Sequence, residues 1–239
     1  MFEELDYSQT PLGELILRRR TAPGLDDVIV YEVKLAGEFL MSSLVNDSEV
    51  ALAQLAIDAL DGADCDVLVG GLGLGCTAKA VLEFDNVKSL LVAEYLPEVI
   101  RWHKRGLVPL GDELTGDPRC RLVHADFFAL ADTGFDAGAQ GDIPTTYDAI
   151  VVDIDHSPRF LLEPQHAAFY DPAGMRRLIK HIAPGGVFAL WSADAPDKAF
   201  ISSLQEAFQT VRAEIIEFFN PVVNSEDTNT IYIAQRADG

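Results

Sequence analysis

The stretch Asp66-Val-Leu-Val-Gly-Gly-Leu-Gly-Leu-Gly75 decides the fold, because an apolar run ends in glycines at positions 71, 73 and 75. The spacing predicts a strand that turns sharply into a helix over 77–82, since glycine permits tight turns and close approach of a ligand. Glu94 ends the next apolar run, about twenty positions on, where a carboxylate is typical of ribose-binding sites. The pattern favours a nucleoside site, although glycine turns also occur for packing alone.

Composition excludes several other classes of protein. The 239 residues are 49% apolar, yet no unbroken apolar run approaches the ~18 residues of a membrane span. The net charge of −20 argues against a nucleic-acid partner, because phosphate binding needs clustered lysine and arginine. The acidic N-terminus lacks the layout of a secretory signal, and the three cysteines suit reduced thiols. We therefore expect a cytoplasmic protein.

Residues 1–45 are predicted to form a small antiparallel β unit. Short strands are expected at 13–20, 28–35 and 38–42, separated by turn residues. A helix over about 48–60 should follow, because its apolar residues form a stripe along one face. The side-chain oxygens of Asn46-Asp-Ser-Glu49 are placed to cap this helix, and Glu49 suits the positive end of its dipole.

Residues 46–239 alternate between strands and helices, which predicts a second domain with a mainly parallel sheet covered on both faces. Strands are expected at 66–70, 89–94, 121–125, 148–153 and 186–191, and helices at 76–83, 97–105, 170–182 and 197–209. Two last strands, 214–219 and 230–234, have no helix between them and should form an antiparallel hairpin. The stretch 131–145 is predicted to be a surface loop.

Further motifs resemble the spermidine synthase (aminopropyltransferase) family and its methyltransferase-like relatives. They are the strand-end acid and proline-initiated helix of 92–100, the segment 117–126 that starts Asp-Pro-Arg, the strand 147–153, the pair Phe169-Tyr170 and the turn 183–186. The resemblance is close over 66–191 and loose over the N-terminal β unit. It implies an α/β, Rossmann-like class I methyltransferase fold, with a mainly parallel seven-stranded sheet and an antiparallel last strand.

The resemblance also implies residues that bind S-adenosylmethionine or its decarboxylated form. The glycines would pack under the tail, Glu94 would accept both ribose hydroxyls, and Asp126 would accept the adenine amino group. The full set is Gly71, Gly73, Gly75, Glu94, Tyr95, Asp126 and Phe127. Taken singly, Glu94 could be a solvent-facing charge and Asp126 a helix N-cap. Their joint placement after consecutive strands favours ligand roles.

Asp153 resembles the family's catalytic aspartate at the end of the fourth strand. A carboxylate there would hold an acceptor ammonium and take its proton, before the amine attacks a carbon bound to sulfonium. Asp155 and His156, on the same loop, complete the catalytic candidates, although His156 is equally well explained as a loop histidine bonded to backbone or water. These residues and His166 lack a familiar metal-ligand spacing, so no metal is expected.

Three departures from the family concern the tail and the acceptor. Leu74 stands where an aspartate usually holds the free amine of decarboxylated S-adenosylmethionine, His156 replaces the second aspartate of the catalytic loop, and Leu40 and 47–49 replace polar groups that grip the amine. We favour aminopropyl transfer to a small-molecule amine or polyamine. The alternatives are methyl transfer on the same scaffold and nucleoside binding without catalysis. The resemblance also implies a homodimer formed through the N-terminal β unit.

Overall fold

A four-stranded antiparallel sheet, here called the N-terminal sheet, begins the computed structural model, which describes residues 1–22, 24–25, 27–135, 144–221 and 224–238. Its strands follow one another in the order β1-β2-β3-β4. They are β1 (Phe2–Thr10), β2 (Gly13–Thr21), β3 (Ile29–Leu35) and β4 (Glu38–Ser42). Leu15 and Leu17 of β2 are fully buried, because side chains two apart share one face of a strand.

A seven-stranded sheet in the order β10-β11-β9-β8-β5-β6-β7 forms the centre of the molecule. Its strands are β5 (Cys65–Gly70), β6 (Val87–Glu94), β7 (Cys120–His124), β8 (Tyr147–Val152), β9 (Ile182–Ser192), β10 (Thr210–Asn220) and β11 (Ser225–Gln235). β11 runs antiparallel to both of its neighbours, and the other pairings are parallel. The predicted class I methyltransferase fold, with a small N-terminal β unit, is confirmed.

Helices cover both faces of the central sheet. They are α1 (Asp47–Ile57), α2 (Cys76–Leu82), α3 (Pro97–Lys104), α4 (Gly111–Gly116), α5 (Phe127–Thr133), α6 (Ala167–Tyr170), α7 (Pro172–Leu178) and α8 (Lys198–Gln205). Short 3-10 helices span Pro164–His166 and Ile179–His181. Within the described part of the chain, none of the helices has both the length and the apolar character needed to cross a membrane.

Alternation along the central strands divides the core into two clusters. Val67 and Val69 of β5 belong to one cluster, whereas Leu68 between them belongs to the other. Leu15 and Leu17 of the N-terminal sheet join the first cluster. The N-terminal sheet therefore packs against the same side of the central sheet as α1, and this packing brings β4 beside the glycine turn.

Several predicted boundaries differ from the observed ones. β1 was not predicted, because Phe2–Thr10 is largely polar and becomes a strand by pairing along β2. The helix predicted over 170–182 is divided, since Pro172 cannot continue a helix and begins a new one after the capping Asp171. In the predicted loop 131–145, residues 131–133 belong to α5 and 136–143 lie outside the described residues. The Asn46 side chain makes no capping hydrogen bond to α1.

Candidate active site

The glycine turn after β5 lies between the end of β8 and the N-terminal sheet. Gly71 has φ +93°, and a Cβ there would lie 2.1 Å from the carbonyl oxygen of Asp153. Gly73 has φ +48°, and a Cβ there would lie 2.7 Å from Sδ of Met41 in β4. Any side chain at either position would push these elements apart, so glycine is needed here for close packing as well as for backbone conformation.

His103 of α3 supports the turn from behind. Its Nε2 lies 3.0 Å from the carbonyl oxygen of Gly73, to which it donates, and the side chain is fully buried. Burial lowers the pKa of His103, because a charged imidazole would lose its hydration. Gly75 packs against the same histidine, since a Cβ there would lie 2.9 Å from its Cε1 and 2.6 Å from Cδ1 of Leu114. The observed contacts of Gly75 are thus with the protein core.

Glu94 ends β6 with its side chain turned inward, and the residue is only 8% exposed. Oε2 accepts the backbone N–H of Leu72 at 3.0 Å, and Oε1 accepts that of Leu96 at 2.7 Å. Burial raises the pKa of Glu94, and these backbone N–H groups oppose the rise. Each oxygen keeps a second lone pair, so the carboxylate can still accept two hydroxyl groups.

A first cavity of about 180 Å³ opens beside this carboxylate. Six of the seven predicted cofactor-binding residues line it, namely Gly71, Gly73, Glu94, Tyr95, Asp126 and Phe127. Gly75 instead lines a second cavity on the other side of the turn. The first cavity therefore brings the carboxylates that follow β6 and β7 to one place, as expected for the carboxyl ends of parallel strands.

Asp126 caps a helix and also lines the first cavity. Its Oδ1 accepts the backbone N–H groups of Phe128 and Ala129 and so caps α5. The ring of Phe127 packs against Gly70, where a Cβ would lie 2.6 Å from the ring carbon Cδ2. The N-cap alternative for Asp126 is thus observed, and its second oxygen has lone pairs left for a ligand.

Asp155 organises the loop after β8 and is 2% exposed. Its oxygens accept the backbone N–H of Leu162 at 2.7 Å, the hydroxyl of Tyr170 at 2.9 Å and Nδ1–H of His166 at 3.0 Å. The His166 ring stacks on Phe128 with 3.8 Å between centroids. These contacts occupy the Asp155 carboxylate within the protein and fix one wall of the first cavity.

The second cavity, of about 500 Å³, contains two carboxylates without basic partners. Asp153 follows β8, and its Oδ2 accepts the hydroxyl of Thr77 at 2.7 Å. Glu49, at the start of α1, accepts the hydroxyl of Ser48 at 2.8 Å. Burial and then repulsion by Asp153 raise the pKa of Glu49 to about 7, and burial raises the pKa of Asp153. The raised pKa values reflect the cost of charging both carboxylates in this cavity.

The rest of the second cavity is largely apolar and aromatic. Trp191, the second-last residue of β9, lines the cavity, and its indole N–H donates to Ser48 Oγ at 2.9 Å. Leu74, the departure in the glycine turn, also lines this cavity. His156 lines it too, and its ring stacks on Phe160 with 4.8 Å between centroids. The first and second cavities share the wall formed by Gly73 and Asp153.

The sequence analysis did not single out Glu49, Thr77 or Trp191 as lining a cavity. Glu49 lies in the first turn of α1, as the sequence predicts, and it also lines the second cavity. The signal that could have found it is the position of 47–49, which corresponds to a substrate-contacting helix start in the resembling family.

Among the described residues, no group of three or more His, Cys, Asp or Glu is placed to hold a metal ion.

The fold is that of the spermidine synthase-like, S-adenosylmethionine-dependent transferases. Spermidine synthase from Thermotoga maritima superposes with a TM-score of 0.71 at 16% identity, covering 99% of this chain and 73% of that one. The same agreement holds for a spermidine synthase in complex with the transition-state analogue AdoDATO. A probable spermidine synthase from Corynebacterium glutamicum gives 0.63 at 16% identity, covering 98% of this chain and 79% of that one.

A methyltransferase shares the architecture more loosely. Human methyltransferase-like protein 13, in complex with SAH, gives a TM-score of 0.52 at 19% identity and covers 79% of each chain. No family model matches the sequence, and no curated protein matches it significantly. At these identities the likeness establishes the fold, and the reaction has to be argued from the site.

Proposed function

We propose that this protein is an aminopropyltransferase, which moves an aminopropyl group from decarboxylated S-adenosylmethionine to an amine acceptor. The observation that carries the proposal is the pair of carboxylates, Glu49 and Asp153, in one cavity beside the glycine turn. Within the described chain, neither has a lysine or arginine within ion-pair distance. Half-buried carboxylates without a charged partner are costly, and an ammonium group would relieve that cost.

The first cavity supplies the nucleoside end of the proposed site. Glu94, already held by two backbone N–H groups, would accept the two ribose hydroxyls without reorientation. Asp126 would accept the adenine amino group, with Phe127 and Tyr95 beside the ring. The glycine turn would lie under the tail, because Gly71 and Gly73 line this cavity.

Asp153 is the proposed general base. Bound decarboxylated S-adenosylmethionine would supply a carbon attached to sulfonium, so that a C–N bond forms while the C–S bond breaks and its electron pair returns to sulfur. The acceptor must first lose a proton, because an ammonium has no lone pair. A raised pKa makes Asp153 a better proton acceptor than an ordinary aspartate, and Thr77 fixes its orientation.

The charges around the turn favour a decarboxylated tail. No lysine or arginine lines the first cavity among the described residues, and the one arginine that lines the second, Arg20, belongs to the N-terminal sheet and not to the glycine turn. The α-carboxylate of intact S-adenosylmethionine would therefore face Glu49 and Asp153 without a cation. Glu49 would hold the tail ammonium in place of the aspartate that Leu74 replaces.

Methyl transfer is the second candidate, and one observation favours it. Leu74 makes the wall of the turn apolar where an aminopropyl tail needs a charge partner. If Glu49 does not supply that charge, intact S-adenosylmethionine is the better ligand and Asp153 would serve a methyl acceptor instead.

Calorimetric titration with the two forms of the co-substrate tests the proposal. We expect decarboxylated S-adenosylmethionine to bind at least about tenfold more tightly than S-adenosylmethionine, since one buried charge contact is worth about 1.4 kcal/mol or more. Glu49→Gln should abolish the difference, whereas Glu83→Gln, an exposed glutamate on the surface of α2, should leave it unchanged. The opposite preference would establish the methyltransferase alternative, and binding of neither form would exclude both.

We further propose a cytoplasmic homodimer whose interface involves the N-terminal sheet, with the chain divided into domains at residue 45. Phe2, Ile29 and Phe39 of that sheet are 66%, 48% and 53% exposed, more than isolated apolar side chains require. Light scattering should give twice the chain mass. Phe2→Ser with Ile29→Ser should halve it, and a wild-type mass of one chain would contradict the interface.

A further inference from the structure

The second cavity carries opposite charges on two of its walls. Glu49 and Asp153 form the wall next to the glycine turn. Arg20 and Glu32 form part of the wall supplied by the N-terminal sheet. The balance of charge at that second wall decides which acceptors the cavity suits.

The Glu32 carboxylate forms ion pairs with two arginines. It is 3% exposed, and its Oε2 lies 2.7 Å from both Nε and a terminal nitrogen of Arg18. Its other oxygen lies 2.7 Å from Nε of Arg20. Two guanidinium groups around one carboxylate leave a net charge of about +1, because arginine does not deprotonate in proteins. This wall therefore repels a cation.

The remaining charged groups of the cavity do not change this balance. Asp155 lines it, but the Asp155 carboxylate is taken up by Leu162, Tyr170 and His166. Aromatic and amide side chains supply the other walls: Phe39, Trp191, Phe218 and Asn229. The cavity thus contains an anionic pair of residues and a cationic group, with aromatic and amide side chains elsewhere in its lining.

Resting on the proposed function, we infer that the acceptor carries one ammonium and, at its other end, an anionic group such as a carboxylate. The acceptor ammonium lies against Asp153, the general base that takes its proton, next to Glu49, which holds the tail ammonium of the co-substrate. The anionic group lies against Arg20. A diamine would place its second ammonium at the net positive wall, with no carboxylate free to receive it, so diamines are disfavoured.

Three compounds of equal chain length test the inference by calorimetry: putrescine, butylamine and γ-aminobutyrate. Each is titrated into the full chain, free and saturated with methylthioadenosine. We expect γ-aminobutyrate to bind about fivefold to tenfold more tightly than butylamine, and butylamine more tightly than putrescine. Tighter binding of putrescine than of γ-aminobutyrate, or binding of none of the three, would overturn the inference.

Variants of neighbouring arginines identify the source of the preference. Arg20→Gln should remove the advantage of γ-aminobutyrate and improve putrescine binding about fivefold, while Arg20→Lys should retain the wild-type order. Arg19→Gln is the matched control, because Arg19 pairs with Glu3 and does not line the cavity. Equal effects of Arg20→Gln and Arg19→Gln would also overturn the inference. Failure of methylthioadenosine to bind, by contrast, would count against the proposed function and leave the order of the three amines as a separate result.

Discussion

Both cavities contain carboxylates, but the hydrogen bonds that hold these carboxylates differ between the two. In the first, Glu94 is surrounded by backbone donors that hold both of its oxygens. In the second, each carboxylate of the pair accepts a single side-chain hydroxyl, from Ser48 to Glu49 and from Thr77 to Asp153. One carboxylate is fixed in advance, whereas the other two repel each other.

This difference matches the ligands that each cavity would receive. A ribose diol is neutral and brings no compensating charge, so backbone N–H groups offset part of the cost of burying the carboxylate that binds it. An ammonium brings its own charge, so the carboxylates that bind it can remain unsatisfied beforehand. Both cavities share the glycine turn, and variants on either side of it should therefore give different kinds of defect.

The largest expected effect is on catalysis. Asp153→Asn keeps the shape of the side chain and an oxygen for the Thr77 hydroxyl, but it cannot accept the acceptor's proton. We expect turnover to fall about 10²–10⁴-fold, the usual contribution of a general base. Affinity for methylthioadenosine should change less than twofold, as measured by calorimetry.

Asp194→Asn is the control for Asp153→Asn, because Asp194 is exposed on the loop after β9. It should behave as wild type in both measurements. If Asp153→Asn retained wild-type turnover, Asp153 would not be the general base. The proposed difference between a nucleoside cavity and a catalytic cavity would then be lost.

Glu94→Gln should weaken nucleoside binding with a smaller effect. The amide nitrogen of glutamine would face the backbone N–H of Leu72 or of Leu96, which the carboxylate now accepts. Two donors would then meet, and one would be left without an acceptor. We expect a loss of about 1–3 kcal/mol in methylthioadenosine affinity and a comparable loss in unfolding free energy. Glu98→Gln, which removes the contact to Arg101 at the surface of α3, should change neither. An unaltered nucleoside affinity would place Glu94 outside the binding site.

Glu49→Gln should increase the unfolding free energy, whereas Glu94→Gln should decrease it. Since the folded pKa of Glu49 is raised to about 7 from 4.5, the folded chain holds a proton between these values that the unfolded chain has released. Stability therefore falls as the pH rises through this window. At pH 8, we expect Glu49→Gln to raise the unfolding free energy by about 1–3 kcal/mol, measured in urea.

The matched control for that gain is again Glu83→Gln, whose side chain is 60% exposed. A loss of stability in Glu49→Gln would mean that the carboxylate is already compensated by the protein. The two cavities would then differ in shape alone.

The sequence located the residues that line the first cavity far better than the contacts inside the second. Gly71, Gly73, Glu94 and Asp126 follow strand ends at spacings set by the parallel sheet, so a local pattern locates them. Glu49 reaches Asp153 only because α1 packs beside α2 and the end of β8. Neither helix propensity nor spacing encodes that contact.

The fold shows the same division between local and tertiary information. The five parallel strands have apolar runs that reveal them directly, whereas β1 is largely polar and is held by its pairing with β2. Asp155 was placed in the catalytic loop from its position, and only the folded chain reveals its contacts with Tyr170 and His166. Packing across long sequence separations decides these cases.

The smallest expected effect is on the pH dependence of stability and concerns His103, which supports the glycine turn between the two cavities. Burial lowers the pKa of this histidine below 6.5, so under more acidic conditions the unfolded chain takes up a proton that the folded chain refuses. Its contribution to stability is therefore complete above pH 6.5 and declines as the pH falls, by at most about 1.4 kcal/mol per pH unit. His103→Gln should flatten this slope in urea titrations from pH 7 to 5, whereas His124→Gln, at an exposed position, should not. Equal slopes in wild type and His103→Gln would show that His103 is protonated as easily in the folded chain as in the unfolded one.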